Sequence, residues 1–460
     1  MIIAITPLKS TAGQDHLICY ATYMDQIERT VEFERALERM ELGSDPLFVT
    51  GKAGTGKSTL LRLFLNQTGR QVAVVAPTGV AALNVGGQTI HSFFKFRADV
   101  SEETVAATRL RRDQIDLYRH LQTLIVDEVS MLRADLLDRM DQFLQRFGPR
   151  PHTPFGGVRM IFIGDMYQLP PVVAFRDGDR FRTEYPSPYF FDAFVMRNSA
   201  LETLELSKVY RQADTEFIGI LNAIRNDRLE PGNLETLNSR YHDAEFGFDD
   251  EVVIALTSTN ELADQVNQYQ LNALTTPLRS FDGRVTGSMQ ERDLPTKLSL
   301  EIKIGAQVML INNDQGGRWV NGSLGRVTDI YGYGERQDQL VAVELADGPT
   351  VEVTPNTWEQ YAYAYDEEAD EVKPQSTGSF TQFPLRLAWA VTIHKAQGKT
   401  FDQVIIDLGR GTFAAGQLYV ALSRCRTLEG IRLKQPIETR HVKVDERIVR
   451  FSTTDSARLN

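Results

Sequence analysis

"DPLFVTGKAGTGKSTLLRLFLNQ" (45–67) decides how the rest of the chain is read. A short apolar run of strand type leads into Gly51-Lys52-Ala53-Gly54-Thr55-Gly56-Lys57-Ser58, after which Leu60, Leu61, Phe64 and Leu65 recur at helical spacing. The octet satisfies G-x-x-x-x-G-K-[ST], and the order strand, glycine loop, helix makes it a phosphate site rather than a plain turn. Glycines let backbone N–H groups turn inward around phosphate oxygens, and the helix N-terminus adds its positive dipole end. Lys57 then reaches the β/γ-phosphates and the Ser58 hydroxyl meets Mg²⁺. Gly51, Ala53, Gly54, Thr55, Gly56 and Thr59 complete the expected ATP-binding loop.

Outward from this unit, "QVAVVAP" (71–77), "LQTLIVDEV" (121–129), "RMIFIGD" (159–165) and "VVIALTST" (252–259) are further short apolar runs separated by helix-like segments. That alternation predicts parallel sheets flanked by helices. From about 300 to 385 the texture changes to "GAQVMLINND", "GSLGRVTDIYG", "LVAVELADG" and "PTVEVTP", which predicts a small β-barrel-like insertion. The α/β pattern resumes in "PLRLAWAVTIHKAQG", so the insertion interrupts a second α/β domain.

A chain of 460 residues exceeds what one hydrophobic core serves, which agrees with several packed units. Cys19 and Cys425 are the only cysteines and offer neither a disulfide framework nor a metal-ligand spacing, which fits a reducing compartment. No apolar run approaches a membrane span, and the expectation is a soluble, cytoplasmic protein without a membrane partner. Fifty Lys+Arg against sixty-one Asp+Glu give −11, a balance that by itself disfavours wrapping duplex DNA. The average hides an Arg-rich stretch, "TRLRRDQIDLYRH" (108–120), and an acidic run, "DEEADEV" (366–372), read as a solvated loop.

"LIVDEVSML" (124–132) ends an apolar strand in two carboxylates. Asp127 is the expected Mg²⁺ ligand with Ser58, and Glu128 the group that orients or deprotonates the attacking water. "IFIGDMYQLPPV" (161–172) ends a third strand in Gly-Asp, with Gln168 just beyond. A glutamine amide both donates and accepts, so it can register a γ-phosphate and a water together. "AVTIHKAQGKTF" (390–401) closes like a second phosphate loop, but the position five before Gly398 is Ile393, which denies the turn.

Taken in order, "GKAGTGKST", "APTGVAALNVGGQTIHSFF", "VDEVSML", "FGGVRMIFIGDMYQLPPV", "ELSKVYRQ", "WAVTIHKAQGKTF" and "YVALSRCR" resemble the Pif (petite integration frequency) family of superfamily 1B DNA helicases, from about residue 45 to 430. RecD is a more distant resemblance. "EVSMLRADLLDRMDQFLQRFG", leading to "PFGGVRMIFIGD", is similar to the family's own signature. The resemblance implies two RecA-like domains with parallel sheets: a first over 1–205 holding a wedge subdomain at 95–120, a second over 206–298 and 385–460, and an SH3-like β insertion at 299–384. It implies Arg211 and Arg424 as γ-phosphate arginines, since planar guanidinium donors stabilise the charge spreading over the transferred phosphoryl group. Lys57, Asp127, Glu128 and Gln168 join them as the catalytic set, with Gln397 and Gly398 on the nucleotide side.

For DNA the same resemblance implies contacts from Pro77, Thr78, Gly79, His91, Thr392, His394 and Lys395, with Asn321 and Trp319 further candidates. Phe93 and Phe94 either stack on bases or belong to the core. The family's adenine-reading glutamine has no counterpart in "VEFERALERMELGSD", and Gln26 lies further upstream. The implied activity is ATP- and Mg²⁺-dependent translocation from five-prime to three-prime on single-stranded DNA. The motor would open duplex, tailed, forked or G-quadruplex DNA in replication, recombination, repair or telomere maintenance. A monomer, with DNA-promoted dimers, is the implied state. Two alternatives stand beside it: a RecD-like subunit of a nuclease complex, and a DNA-stimulated ATPase switch that does not unwind.

Overall fold

In the computed structural model, residues 30–97, 100–173, 178–212, 214–241, 252–314, 316–332, 339–346 and 348–458 are described. The run at 47–51 forms β1 (Leu47–Gly51), buried on both faces as a central parallel strand requires. β2 (Val72–Ala76), β3 (Gln88–Thr89), β4 (Thr123–Val126), β5 (Arg159–Ile163) and β6 (Glu202–Leu206) join it in one sheet of order β3-β2-β4-β5-β1-β6. Every pairing is parallel, with Phe48 opposite Phe162 and Val126 likewise opposite Phe162. The loops after β4, β5 and β1 therefore leave adjacent strand ends on the same edge, where open α/β sheets collect ligands.

β7 (Ile254–Thr257) opens a second parallel sheet. Between it and the rest of that sheet lies the β-rich region: β8 (Arg279–Asp282), β9 (Arg284–Gly287), β10 (Ser299–Ile302), β11 (Gln307–Leu310), β12 (Leu324–Tyr331), β13 (Leu340–Leu345), β14 (Thr350–Val353), β15 (Asn356–Asp366), β16 (Glu371–Gln382) and β17 (Leu385–Leu387). The chain then returns through β18 (Ala390–Thr392), β19 (Val404–Asp407) and β20 (Ile431–Leu433), giving a parallel sheet of order β18-β7-β19-β20. The β-rich region makes an antiparallel sheet β14-β13-β12-β11-β17, a three-stranded sheet β15-β16-β9 and the pair β10-β8. It thus begins at Arg279, ahead of the expected start at 299. "LRLAWAV" (385–391) is divided between two strands. Leu385–Leu387 pairs with β11, then Ala390–Thr392 pairs with β7.

Two elements reach back from the second half of the chain to the first domain. The β15–β16 hairpin covers the part of β2 that two-residue β3 leaves unpaired, where the Val74 N–H donates to the Tyr363 hydroxyl at 3.1 Å. The Tyr363 N–H in turn donates to Gln88 Oε1 at 2.9 Å, and the Tyr365 ring stacks on His120 at 3.8 Å. An open strand edge is a pairing hazard, and here the hairpin blunts it. The acidic run is the tip of this hairpin. The helix Glu446–Arg458 docks on the same domain through Phe451, stacked on Phe191 at 4.0 Å, and through Arg447 bonded to Asp192. None of the described helices is long and apolar enough to cross a membrane.

The stretch at 95–120, as far as it is described, is a helix pair, Glu102–Ala107 and Arg112–His120. Leu117 and Tyr118 face the first core while Arg109, Arg111, Arg112 and Arg119 are exposed. Helix Ala134–Phe147 and the turn Pro154–Gly157 show why "PFGG" has that composition. Phe155 donates its N–H to Asp141 Oδ1, and a Cβ on Gly156 would sit 2.0 Å from the Leu144 carbonyl oxygen. Gly156 also holds φ at +60°, where a side chain is strained. Gly156→Ala should cost about 3 kcal/mol through forced displacement of that helix end. The measurement is the denaturant midpoint, and a midpoint unchanged from wild type would refute the packing reason.

Candidate nucleotide and DNA site

The phosphate loop leaves β1 and enters helix Lys57–Gln67, whose N-cap, Gly56, has φ 89° and offers no side-chain cap. The first-turn N–H groups are thus left for an anion. Leu60, Leu61, Leu63 and Phe64 seat the helix on the sheet, and Ser58 is exposed at its start. Lys57 Nζ donates to the Gly51 carbonyl at 2.6 Å and the Lys52 carbonyl at 2.9 Å, which holds the amine over the loop. Buried Thr55 closes the loop by donating to the Lys52 carbonyl at 3.0 Å. Gly54 is needed for a further reason: a Cβ there would lie 2.4 Å from Arg211 Cβ. The second domain's "VYRQ" segment therefore rests directly on the loop, with the Tyr210 N–H donating to the Gly54 carbonyl at 2.9 Å.

β4 ends at Val126 and delivers Asp127 and Glu128 to the same edge. Glu128 sits at φ 51°, ψ 45°, an uncommon conformation for a non-glycine residue that lifts its side chain out of the strand direction. Burial, with help from Glu128, pushes the Asp127 carboxyl up to about 7. Burial also raises Glu128, against the pull of Lys57 and Arg424. Desolvation lowers the Lys57 amine, and the nearby carboxylates Asp165 and Glu128 oppose it.

The second domain closes the site from the other side. The Gln397 amide donates through Nε2 to Glu128 Oε2 at 3.1 Å and to Gln168 Oε1 at 3.1 Å. Arg211 Nη1 donates to the Ser423 carbonyl at 3.3 Å. Arg424, 1% exposed, is fixed by the Val420 carbonyl at 2.9 Å and by Ser423 Oγ at 2.9 Å. Burial pushes its guanidinium down to about 9, with Arg211 adding to the shift and Glu128 opposing it. Lys57, Asp127, Glu128, Gln168, Arg211, Gln397 and Arg424 thus line one cleft, while Gly398 is exposed beside it.

The DNA candidates divide. Pro77, Thr78 and Gly79 follow β2; Thr78 caps helix Gly79–Asn84 by accepting from the Ala81 N–H, and His91 lies half-buried in the short helix Ile90–Phe93. Thr392 ends β18 and accepts from the Lys395 N–H at 3.3 Å, Lys395 is exposed, and the His394 ring lies parallel to exposed Phe413 at 6.2 Å. Asn321 accepts from Lys399 Nζ. Phe93 is corrected: it is 1% exposed, packed against Phe94, Tyr118 and Tyr363, and its ring has no face for a base. Phe94 is core as well, and Trp319 is 6% exposed with its indole N–H on Asn312. Gln26 falls outside the described residues. Sequence reading missed Asp165, Arg225 and Tyr419, which lie against the same cleft; Tyr419 stands inside "YVALSRCR", and its place in that motif was the available signal.

A model of the PIF1-like helicase family matches residues 28–233, and one of the UvrD-like helicase C-terminal domain matches 387–428. The ATP-dependent DNA helicase Pif1 of Bdellovibrio bacteriovorus is 31% identical over 93% of this chain and 92% of its own length. This chain belongs to the PIF1-like helicase family. The human ATP-dependent DNA helicase PIF1 is 33% identical over 92% of this chain, which spans 63% of that relative's length. A Bacteroides Pif1 crystallised with ADP-AlF4 superposes with a TM-score of 0.84 at 33% identity, covering 94% of this chain and 98% of that one. The same helicase bound to single-stranded DNA superposes at 0.67 over 95% and 99%.

Glu128→Gln should keep nucleotide binding and lower ATP turnover by about 10²-fold or more. Fluorescent-nucleotide binding beside steady-state turnover measures both, and near-normal turnover would remove Glu128 from the chemistry. A carboxyl raised from 3.8 to about 7 destabilises the fold where it ionises, a cost that grows between about pH 4 and pH 7 and is constant above. Nucleotide-free Asp127→Asn should therefore melt higher than wild type, by a margin wider at pH 8 than at pH 5. A margin independent of pH would contradict the burial of that charge.

Proposed function

We propose that this protein is an ATP-driven DNA helicase that moves from five-prime to three-prime on single-stranded DNA and opens duplex or structured DNA ahead of it. The observation that carries this reading is the Gln397 amide, bonded at once to Glu128 and Gln168 of the first domain. Gln397 stands in the same short segment as Thr392, His394 and Lys395, so a change at the γ-phosphate is felt beside the candidate DNA contacts.

In this reading the loop N–H groups from Gly51 to Thr59 and Lys57 cradle the phosphates, and Glu128 takes the proton of the attacking water. Gln168 senses the γ-phosphate, and Arg211 and Arg424 neutralise the charge that develops on it. Exposed Ser58 and buried Asp127 suit Mg²⁺, which keeps several waters and binds through one or two protein groups plus substrate phosphates. The ion's chemistry here is neutralisation of phosphate charge.

Pro77, Thr78, Gly79, His91, Asn321, Thr392, His394 and Lys395 form the proposed DNA track. The exposed arginines of the 95–120 region make it the wedge, the β-rich region serves as an SH3-like insertion, and the two parallel sheets are the RecA-like domains. Forked and G-quadruplex DNA are the structured substrates, a monomer is the working unit with DNA-promoted dimers, and the setting is cytoplasmic. The Bacteroides relative bound to single-stranded DNA supports the substrate class.

Strand displacement on duplexes with matched single-stranded tails tests the polarity: opening should need ATP and a five-prime tail. Equal or better opening from a three-prime tail rejects the direction, and DNA-stimulated turnover without opening favours the switch reading. Gln397→Ala should bind DNA normally yet lower DNA stimulation of turnover by about tenfold.

A further inference from the structure

Asp165 lies just beyond β5, fully buried, where it gathers more partners than a loop carboxylate needs. Its Oδ1 accepts from the Tyr167 N–H at 3.2 Å and from Arg225 Nη2 at 3.2 Å. Its Oδ2 accepts from Gln168 Nε2 at 3.4 Å and from the Tyr419 hydroxyl at 3.4 Å. Gln168 and Asp165 belong to the first domain. Arg225, at the end of helix Thr215–Arg225, and Tyr419, in helix Gln417–Leu422, belong to the second. The Arg225 guanidinium also stacks over the Tyr167 ring at 4.1 Å.

We propose that Arg225 and Tyr419 are positioning residues for ATP hydrolysis, which grip Asp165 from the second domain and thereby fix the Gln168 amide and the phosphate loop in their working orientation. The inference rests on the hydrolytic reading above and deepens it. A glutamine amide presents a donor and an acceptor end that are nearly equal in shape, so a fixed neighbour must decide which end faces where. Asp165 accepts only, and it claims Nε2. Gln168 Oε1 is thereby left to accept from Gln397, the link across the cleft.

Tyr419 extends the grip to the loop. Its hydroxyl has one proton, given to Asp165, and a lone pair that accepts from the Ala53 N–H at 3.2 Å. One oxygen atom therefore joins the second domain to both the sensor's anchor and the phosphate loop. Arg225 reaches the buried carboxylate from the second domain and holds Oδ1 at 3.2 Å, which leaves Oδ2 to Gln168 and Tyr419. Separation of the two domains withdraws both Arg225 and Tyr419 from Asp165, so the sensor is correctly oriented only when the cleft is shut.

The test is steady-state ATP turnover with saturating single-stranded DNA, in the full chain, for wild type, Tyr419→Phe, Arg225→Lys, Arg225→Gln, Gln168→Ala and the double variant Tyr419→Phe/Gln168→Ala. Tyr419→Phe removes one oxygen and keeps the ring; it leaves the Ala53 N–H and Asp165 Oδ2 each short of one partner, so its melting temperature should fall by only a few degrees. Its kcat should fall about tenfold while KM for ATP stays within about twofold, since misorientation affects the transition state more than binding. Arg225→Lys should retain more turnover than Arg225→Gln, and if the latter fails to fold, the tyrosine variant still decides. In the Gln168→Ala background, loss of the Tyr419 hydroxyl should cost less than in the wild-type background, because only its bond to Ala53 is then left to lose. Wild-type kcat in Tyr419→Phe, or the same loss in both backgrounds, overturns the proposal. A wild-type protein without ATP turnover sinks the hydrolytic reading and this inference with it, whereas an active wild type beside an equally active Tyr419→Phe sinks this inference alone.

Discussion

Charged groups from two separate sheets are drawn out of water in one cleft, and each is tolerable only because the others are there. Burial is the largest influence on Lys57, Asp127, Glu128, Arg211 and Arg424, and in every case it acts against the charged form. The opposing pulls come first from neighbours on the same side, Lys57 on Glu128 and Tyr419 on both arginines, and then from across the cleft, Arg424 on Glu128 and Glu128 on Arg424 and Arg211. A buried ion that loses its partner is far more costly than an exposed one. The two domains are therefore complementary in charge where they meet, and that contact has to be held in place.

That requirement gives a reason for the two elements that cross between domains away from the cleft. The β15–β16 hairpin holds the β2 edge through Tyr363, and the helix Glu446–Arg458 holds the Phe191 face through Phe451 and Arg447. Both contacts use aromatic rings with a few hydrogen bonds, a combination with area to bury and few charges to strand. The flanks thus dock chiefly through aromatic rings, with the Arg447–Asp192 ion pair beside them.

Most of the site was legible in the sequence because its parts are local. A phosphate loop is contiguous, a carboxylate pair ends its own strand, and the two arginines proposed for the γ-phosphate stand inside short motifs. The 3.6 and short-run periodicities also gave both parallel sheets. What escaped were interactions joining distant segments. Arg225 closes an otherwise apolar helix in which Phe217, Ile220, Leu221 and Ile224 are core, so in sequence it reads as a basic residue in the last turn. Phe93 and Phe94 show the converse: aromatic side chains near a candidate DNA-contact motif suit stacking or packing alike, and only the rings of Tyr118, Phe143 and Tyr363 around them decide for packing. "LRLAWAV" reads as one strand because both halves are apolar. The turn of the chain at Ala388-Trp389 comes from pairing with β11 on one side and β7 on the other.

The failed second phosphate loop in "AVTIHKAQGKTF" is where these threads meet. After Thr392 the chain is wound into a tight turn, with the Ala396 N–H on the Thr392 carbonyl, Gln397 on His394 and Lys399 on Ala396. Such a turn has little freedom to absorb a displacement. Its far end is held on two sides, by Arg424 Nη1 on the Lys399 carbonyl and by Lys399 Nζ on Asn321 of the β-rich region. A shift of Gln397 relative to Glu128 and Gln168 therefore cannot be taken up inside the turn. It must move Thr392, His394 and Lys395, or the Asn321 turn, or both. A flexible glycine loop, which the sequence superficially suggests, would dissipate that motion; Ile393, fully buried where such a loop would need glycine, prevents it.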